Sequence, residues 1–585
     1  MPGPIPLKAN TEIEEALRTI DEVIAVHLAS LSALRFQRNN IVPISRLPPE
    51  ILSRVFLFTQ KTLHVQYDWD DSPFFDDSSE EANPFGNPSD WIAVTQVCSH
   101  WRNIALNTPD LWIEPPIDNV QWLEEMLTRS KDAGLVITAD FNSKPSVAPG
   151  LELALKHGAA RIKDLTIIDL DTDRWQNFHK WLPKCAPRLE CLHLEGGIAS
   201  DLDENDESIF GVIEIPDHAF RETDRLRRLE LTSTFLDWKS DVHLFHRLTY
   251  LKLNDLIFGR PTAQQLVDVV LKGIPNLQFL YLQDCLPRRE DLGSHIHLPA
   301  CLQVLSLTGS YGEIEPFFRC VTFPSSAIVR IMCHGTESPC TYSAGAIIAG
   351  IAQSYAHADV LPFQTLILVP SSSRLEDVCI RFFTGQLADA EMLHHMNADA
   401  ALEITFICED NERTNVRYED SVPSCMRDIF KDGASLLQAI VHVHFGKKIK
   451  GLNAQTIANT VGTLPLVDYV MASYEAARPF CEALQLKVDS PQHASRTDPT
   501  PLQMLSFSRL GAIYLREMAF EQHDGRRFQS SPNVPMKLFR DIITQRSQSD
   551  AVPDIFHLMI GYSRHLTNED ITFFKENIPD VDIFD

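Results

Sequence analysis

A short apolar motif that returns along most of the chain constrains its fold more than any other sequence feature. The motif has two apolar residues three positions apart and a third two positions further on, as in Leu189, Leu192 and Leu194. Alternating apolar residues are typical of a strand with one buried face, so each copy predicts one short strand followed by a return segment. The other clear copies are Ile162/Leu165/Ile167, Leu226/Leu229/Leu231, Leu248/Leu251/Leu253, Leu277/Leu280/Leu282, Leu302/Leu305/Leu307 and Phe363/Leu366/Leu368.

The recurrence of the motif is more informative than any single copy, because Leu-x-Leu occurs in buried strands of many α/β proteins. Up to Leu305 the clear copies follow one another at steps of roughly 20 to 40 residues, a period found in repeat proteins. They resemble leucine-rich repeats, which implies parallel strands on a concave face and helical return segments on a convex face. Weaker copies suggest that the array reaches the C-terminus, with a separate C-terminal domain as the alternative: Ile328/Ile331/Cys333, Leu402/Ile404, Leu484/Leu486, Leu502/Leu505/Phe507 and Ile555/Leu558/Ile560.

The residue that closes each repeat predicts an irregular array. Leucine-rich repeats usually place a small polar residue or cysteine there, and Cys285 fits this pattern whereas Leu256 does not. The remaining copies carry Gly197, Thr234 or Ser310 at this position. We therefore expect an α/β fold with a degenerate leucine-rich-repeat solenoid over residues 116–585.

Composition excludes several classes of function. The formal net charge of −27 would repel a phosphate backbone, so nucleic acid is not an expected partner. The 12 cysteines form no CxxC pair, which argues against a zinc site and favours free thiols. The N-terminus has no signal-peptide pattern and no apolar run long enough for a membrane span follows, so we expect a cytoplasmic or nuclear protein without membrane contact.

The first periodic segment predicts a helix from Thr11 to about Arg38, within an N-terminal segment of residues 1–40. Thr11 and Glu14 have the spacing of a capping box at the helix start. Two interpretations of the helix remain open, because its stripe could pack on the following domain or form a coiled coil with a partner helix. The stripe consists of Ile13, Leu17, Ile20, Ile24, Leu28 and Leu31.

A compact set of motifs follows between residues 44 and 112. The sequence Leu47-Pro48-Pro49-Glu50-Ile51-Leu52 predicts a helix start, because prolines cost little in the first turn. A second helix is predicted from about Asp90 to Ala105, ended by Thr108-Pro109-Asp110. It would carry Val94, Val97, Cys98, Trp101 and Ala105 on one side.

The combination of LPPEIL, VCxxWRxxA and PxLW resembles the F-box of fungal F-box proteins. This resemblance implies a small helical unit at residues 41–115 that binds a Skp adaptor and through it a cullin. It also implies a non-catalytic substrate receptor of a ubiquitin ligase, whose repeats bind a protein for ubiquitin-dependent degradation. The alternative is a ligase-independent interaction scaffold with a divergent F-box. The residues expected to dock the adaptor or hold the unit together are Leu47, Pro48, Pro49, Ile51, Leu52, Val55, Phe56, Val97, Cys98, Trp101, Arg102, Leu111 and Trp112.

An acidic insertion at residues 61–90 separates the two halves of the F-box-like region. Residues 68–90 hold eight acidic and no basic side chains, which predicts a solvated loop. The alternative role is an acidic contact or a phosphorylation site around Ser78 and Ser79.

No pattern in the sequence predicts catalysis, a metal or a cofactor. The glycines Gly345 and Gly350 have P-loop spacing, but no lysine and hydroxyl follow them. His442 and His444 would share one strand face without a third ligand, and the adjacent pair His394 and His395 is equally unsupported. Target recognition is instead expected from side chains beside the strand leucines: Glu190, His193, Arg228, Glu230, Lys252, Gln278, Tyr281 and Ser306.

Overall fold

A computed structural model describes the chain from residue 7 to residue 584, except for 64–89, 143–146, 171–174, 177, 197–212, 217, 240, 257–258, 289–291, 294, 335–343, 357–362, 372–373, 386–399, 408–417, 447–451, 490–502, 522–532 and 550–551. Most of the acidic insertion, including Ser78 and Ser79, and the pair His394 and His395 lie outside the described residues. The chain divides into two compact units, Met1–Thr166 with Ala186–Leu189 and Ile167–Cys185 with Glu190–Asp585. The finer domain boundaries expected from the sequence stay predictions.

The first unit is mainly helical. Its helices are α1 (Leu7–Ile41), α2 (Pro49–Leu63), α3 (Val94–Val97), α4 (Ser99–Leu106), α5 (Val120–Arg129) and α6 (Ala148–Gly158). Short 3-10 turns cover Pro43–Arg46, Asp90–Ala93, Pro109–Trp112 and Ala159–Arg161. Two neighbouring strands follow, β1 (Leu135–Asp140) and β2 (Ile162–Leu170).

Two helix boundaries differ from the sequence predictions. Helix α1 begins at Leu7, one turn before the predicted capping box, so Thr11 is not the residue that caps it. The predicted helix from Asp90 to Ala105 is broken, because Cys98 adopts an extended backbone with φ −161° and ψ 168°. Cys98 thereby becomes the N-cap of α4, and its Sγ accepts a hydrogen bond from the Trp101 amide at 3.4 Å.

The second unit contains one large, mostly parallel sheet. Its strands are β3 (Cys191–Gly196), β4 (Arg228–Thr232), β5 (Tyr250–Asn254), β6 (Phe279–Gln283), β7 (Val304–Ser310), β8 (Ile328–His334), β9 (Thr365–Ser371), β10 (Arg374–Phe383), β11 (Leu402–Phe406), β12 (His442–Phe445), β13 (Tyr469–Ser473), β14 (Ala512–Arg516), β15 (His557–Gly561) and β16 (Asp580–Phe584). Their spatial order is β3-β4-β5-β6-β7-β8-β11-β10-β9-β12-β13-β14-β15-β16.

One hairpin interrupts the parallel order. Strands β9 and β10 pair antiparallel, and β10 also runs antiparallel to β11, while the other strand pairs among the described residues of this sheet are parallel. As a result, β11 and not β9 follows β8 in space. The apolar motif alone does not predict this reversal, because the alternation of side chains is the same in both strand directions.

Helices occupy most of the return segments from residue 263 onward, whereas the described residues between β6 and β7 contain turns and a two-residue strand. They are α7 (Ala263–Gln265, continued by a π-helical turn Leu266–Leu271), α8 (Tyr311–Cys320), α9 (Ala344–Tyr355), α10 (Tyr418–Asp432), α11 (Ala434–Leu437), α12 (Ala454–Asn459), α13 (Ala477–Ala483), α14 (Met536–Ser547) and α15 (Asn568–Asn577). Two-residue and three-residue strands pair beside the large sheet, namely Ile213–Glu214 with Thr234–Phe235, Ile296–His297 with Val321–Thr322, Lys487–Asp489 with Gln503–Leu505, and Ala519–Glu521 with Asn533–Pro535. Among the described helices, none is long and apolar enough to cross a membrane.

The leucine motif identifies the buried rows of the sheet correctly. Leu192, Leu229, Leu251, Leu280 and Leu305 lie opposite one another across five strands, and each is at most 1% exposed. Two weak copies are wrong. Leu484 and Leu486 lie at the end of α13 and in the turn after it, and Leu505 belongs to a separate two-stranded sheet.

A repeated backbone turn ends the strands in both halves of the second unit. The residue directly after six of the strands has a left-handed conformation with φ between 49° and 53°. These residues are Ser233, Asp255, Asp284, Tyr474, Glu517 and Tyr562. The backbone amides of several of these residues donate hydrogen bonds to the next strand. The Asp255 amide donates to the Gln283 carbonyl at 2.9 Å, and the Glu517 amide donates to the Gly561 carbonyl at 3.0 Å.

Candidate functional site

The helical module formed by residues 42–63 and 90–129 has its own apolar core. Leu52 and Phe56 of α2 are at most 1% exposed, and they pack with Leu111 and Trp112, both 0% exposed. Two aromatic contacts add to the packing. The ring centroids of Phe56 and Trp101 lie 5.1 Å apart, and those of Trp91 and Trp112 also lie 5.1 Å apart. The Trp112 indole N–H donates to the Ala105 carbonyl at 2.9 Å, so its one polar atom is satisfied in the interior.

The predicted docking residues therefore divide into three groups, apart from Cys98, which caps α4. Leu52, Phe56, Leu111 and Trp112 are core residues, because no side-chain surface remains for a partner. Leu47 and Trp101 are half-buried against that core. The exposed members of the set are Pro48, Pro49, Ile51, Val55, Val97 and Arg102.

Helix α2 carries an exposed apolar stripe on the side opposite its core. Ile51, Val55 and Phe58 are 41%, 39% and 75% exposed, and their spacing of four and three residues places them on one helix face. Sequence reasoning missed Phe58, although the same four-three spacing from Ile51 and Val55 pointed to it. This stripe, with Pro48 before it, is called the α2 stripe below.

Cys98 and Arg102 have local structural roles in the module. Cys98 caps α4, and the Arg102 guanidinium donates from Nε to the Thr95 carbonyl at 2.8 Å. Together they fix the junction between α3 and α4.

A shallow cleft of about 420 Å³ lies in the same module. Two of the residues that line it are arginines, and Arg129 also lies over the Trp112 ring at 4.4 Å. None of the described residues that line it is a carboxylate. The lining residues are Ile92, Thr95, Gln96, Arg102, Leu106, Trp122 and Arg129.

In the second unit, the sheet presents a polar and aromatic face opposite the buried leucines. His193, Glu230, Lys252, Tyr281 and Ser306 lie in one row across five neighbouring strands, as their pairing shows. Arg330 continues this row on β8. Of the expected target-binding residues, Glu190 and Gln278 lie one position before their strands instead of on this face.

A cluster of aromatic and charged side chains occupies the first strands of this face. The Arg228 guanidinium lies 4.0 Å from the Tyr250 ring centroid and pairs with the Glu230 carboxylate at 2.5 Å. The Tyr250 ring lies 5.9 Å from Phe279 and 5.3 Å from Tyr281. Tyrosine and arginine are the residue types that most often dominate protein interfaces. This group of Arg228, Tyr250, Phe279 and Tyr281 is called the strand-face cluster below.

The open part of the face does not extend along the whole sheet. The same row continues through Ile367, His444, Met471 and Tyr514, and all four side chains are at most 7% exposed. The half-buried residues of β3 to β8 therefore form one part of this face that a partner can reach.

Burial favours the neutral form of one histidine and of several thiols in the second unit. Burial, helped by His442, lowers the pKa of His444 to about 3, and neither of its ring nitrogens has a hydrogen-bond partner. Burial likewise raises the pKa of Cys379 to about 12 and raises the pKa of Cys285 and Cys481. Thiols of this kind are weak nucleophiles, because the reactive thiolate is disfavoured.

One group of possible metal ligands is found among the described residues. His557 Nε2 lies 3.6 Å from an Asp580 oxygen and 3.2 Å from an Asp582 oxygen at the edge of the sheet. Both carboxylates are exposed, and such an arrangement also forms an ordinary surface ion pair.

Comparison with known proteins does not identify a family. No protein-family model matches the chain, and no curated protein matches its sequence. Among solved structures, the chain is similar to part of the crystal structure of the Rad7 and Elc1 complex in yeast, with a TM-score of 0.29 and 10% sequence identity. The match covers 80% of this chain and 94% of the other chain. Similarity this low establishes neither a shared fold nor a shared function.

Proposed function

We propose that this protein is a non-catalytic substrate receptor of a Skp–cullin–F-box ubiquitin ligase. The helical module binds the Skp adaptor through the α2 stripe, and the open strand face binds the protein to be ubiquitinated. Bond chemistry belongs to the other subunits, while the receptor raises the effective concentration of the target near the transferring enzyme.

One observation carries this proposal, namely the division of the F-box-like motif into a buried and an exposed half. Leu52 and Phe56 hold α2 in the module. Ile51 and Val55 are each about 40% exposed and form an apolar stripe on the outer side of the helix. A few apolar anchors on one helix face are a usual way for a small module to dock into a partner groove.

The second unit fits an irregular leucine-rich-repeat solenoid in this role. Parallel strands in register, helices in most return segments from residue 263 onward and the recurring left-handed turn all support a repeat architecture. Because the turn occurs after β4 and again after β15, it favours one array over a separate C-terminal domain.

Binding of the purified full chain to a purified fungal Skp adaptor, measured by calorimetry, tests the proposal. We expect the Ile51→Asp, Val55→Asp double variant to weaken binding at least ~100-fold, since it places charges among the anchors. Val120→Asp is the matched control, because Val120 is 40% exposed in α5 of the same unit.

Two outcomes would contradict the proposal or its interface. If the intact chain does not bind the adaptor, the ligase proposal is wrong and an adaptor-independent scaffold replaces it. If the double variant binds as tightly as the intact chain, the α2 stripe is not the interface. Circular dichroism of both variants verifies that the module remains folded.

A further inference from the structure

Helix α1 presents an apolar stripe that no described part of the chain covers. Every side chain from Ile13 to Arg38 is exposed, so the described residues do not pack on this stripe. Ile13, Leu17, Ile20, Ile24, Leu31 and Leu34 are between 43% and 63% exposed. A monomeric protein rarely leaves an apolar surface of this length in water, and an isolated helix gains little stability without packing.

The stripe has the period of a two-stranded coiled coil. When His27 is counted in place of its neighbour Leu28, the positions along this face are separated alternately by four and three residues. This average spacing of 3.5 residues keeps one seam facing a partner helix. The seam consists of Ile13, Leu17, Ile20, Ile24, His27, Leu31 and Leu34. His27 is the one polar residue in it, and Leu28 lies directly beside it.

Charge is distributed unevenly along the same helix. Residues 13–22 contain Glu14, Glu15, Asp21 and Glu22 with Arg18 as the one basic residue. Residues 23–41 contain no acidic residue but include Arg35 and Arg38. Two parallel copies would place acidic halves side by side, whereas two antiparallel copies place each acidic half against a basic half.

We propose that α1 pairs with α1 of a second copy of this chain as an antiparallel two-stranded coiled coil. The two-fold axis of this dimer then passes between positions 24 and 27, and the two seams face each other in opposite directions. Leu17 faces the partner's Leu34, and Ile20 faces the partner's Leu31. In this register Glu14 lies on the same flank as the partner's Arg35, so two such pairs form by symmetry.

A second copy fits this surface because a single register pairs apolar seam residues with each other and also pairs opposite charges. The register that opposes apolar side chains is also the register that brings Glu14 to the partner's Arg35. An isologous interface of this kind closes after two subunits and does not continue into a filament. The dimer carries two helical modules and two strand faces, which raises its avidity for a partner with repeated binding sites.

Sedimentation equilibrium of the full chain over a range of concentrations tests the dimer. We expect the intact chain to dimerise and Ile20→Asp to raise the dissociation constant at least ~100-fold, because it places a charge against the partner's Leu31 in the seam. Val26→Asp is the matched control, since Val26 is 64% exposed on α1 but lies outside the seam. An intact chain that stays monomeric, or equal dissociation constants for the two variants, would overturn the proposal.

A charge exchange tests the antiparallel register. Glu14→Arg and Arg35→Glu should each weaken the dimer ~10-fold at low ionic strength, because each variant places like charges together. Combining both substitutions in one chain should restore the dissociation constant of the intact protein. If the double variant is weaker than either single variant, the antiparallel register is wrong. Neither result depends on adaptor binding, so this test is separate from that of the proposed function.

Discussion

At the scale of single residues, neighbouring positions in α2 have opposite roles. Leu52 is fully buried in the module core, whereas the adjacent Ile51 is 41% exposed. We expect Leu52→Ala to lower the free energy of unfolding by about 2–5 kcal/mol, because it leaves a cavity. Ile51→Ala should change it by less than about 1 kcal/mol. Chemical denaturation of both variants measures this difference, and similar losses for the two would show that Ile51 also belongs to the core.

His444 makes stability depend on pH. Its pKa is lowered to about 3 in the fold by burial, whereas in the unfolded chain it has the ordinary value of about 6.5. Below about pH 6.5 the unfolded chain binds the proton more readily, so stability falls as the pH drops toward 3. Lowering the pH from 7 to 5 should therefore reduce the free energy of unfolding by about 2 kcal/mol through the protonation of His444 in the unfolded chain.

The variant His444→Leu isolates this contribution, since it removes the titrating group and keeps an apolar side chain of similar size. Urea denaturation at pH 7 and pH 5 should show the variant gaining about 2 kcal/mol relative to the intact protein as the pH falls. A stability difference that is the same at both pH values would mean that His444 stays neutral in the unfolded chain as well, or is charged in both states.

The sequence predicts which residues belong to the module better than it predicts their separate roles. The motif spacing places Leu52 and Ile51 in the same helix, but the side of α2 that becomes buried depends on Phe56, Leu111 and Trp112 packing together. That packing joins residues more than 50 positions apart across the acidic insertion. Local periodicity cannot fix such an orientation, because it describes one helix at a time.

At the scale of elements, the glycine spacing in α9 has a packing explanation. A Cβ atom on Gly350 would lie 2.5 Å from the Phe318 carbonyl oxygen, so the backbones of α8 and α9 approach closely at this point. Gly350→Ala should destabilise the second unit by about 1–3 kcal/mol through overpacking, in spite of the better helix propensity of alanine. Thermal unfolding measures the effect. Ala349→Ser, at a half-buried position of the same helix, serves as the control and should change stability by about 0.5 kcal/mol or less.

Strands with a clear leucine motif were predictable, and several others were not. Strand β13 reads Tyr-Val-Met-Ala-Ser and β14 reads Ala-Ile-Tyr-Leu-Arg, and nearly all of their side chains are buried. When both faces of a strand are covered, apolar residues no longer alternate with polar ones and the period disappears. Leu484 and Leu486 show the opposite error, because two leucines at this spacing also fit the end of a helix. The recurring left-handed turn escaped prediction too, since Ser, Asp, Tyr and Glu all occupy it.

At the scale of the whole molecule, the two proposed binding surfaces belong to different compact units. The α2 stripe lies in Met1–Thr166, and the strand-face cluster lies in Glu190–Asp585. Substitutions at sites that share no contacts usually act additively. We therefore expect the Tyr250→Ser, Tyr281→Ser double variant to leave adaptor affinity within about twofold of the intact chain, because it changes the target surface alone.

Calorimetry with the Skp adaptor measures this independence, and proximity labelling in cells compares the proteins captured by each variant. The strand-face variant should lose captured targets and keep the adaptor, whereas the Ile51→Asp, Val55→Asp variant should lose the adaptor and keep the targets. If the strand-face variant also weakened the adaptor, the two surfaces would be coupled and target binding would regulate assembly of the ligase. Separate losses indicate a receptor whose attachment and target recognition can change independently, because each depends on a different set of side chains.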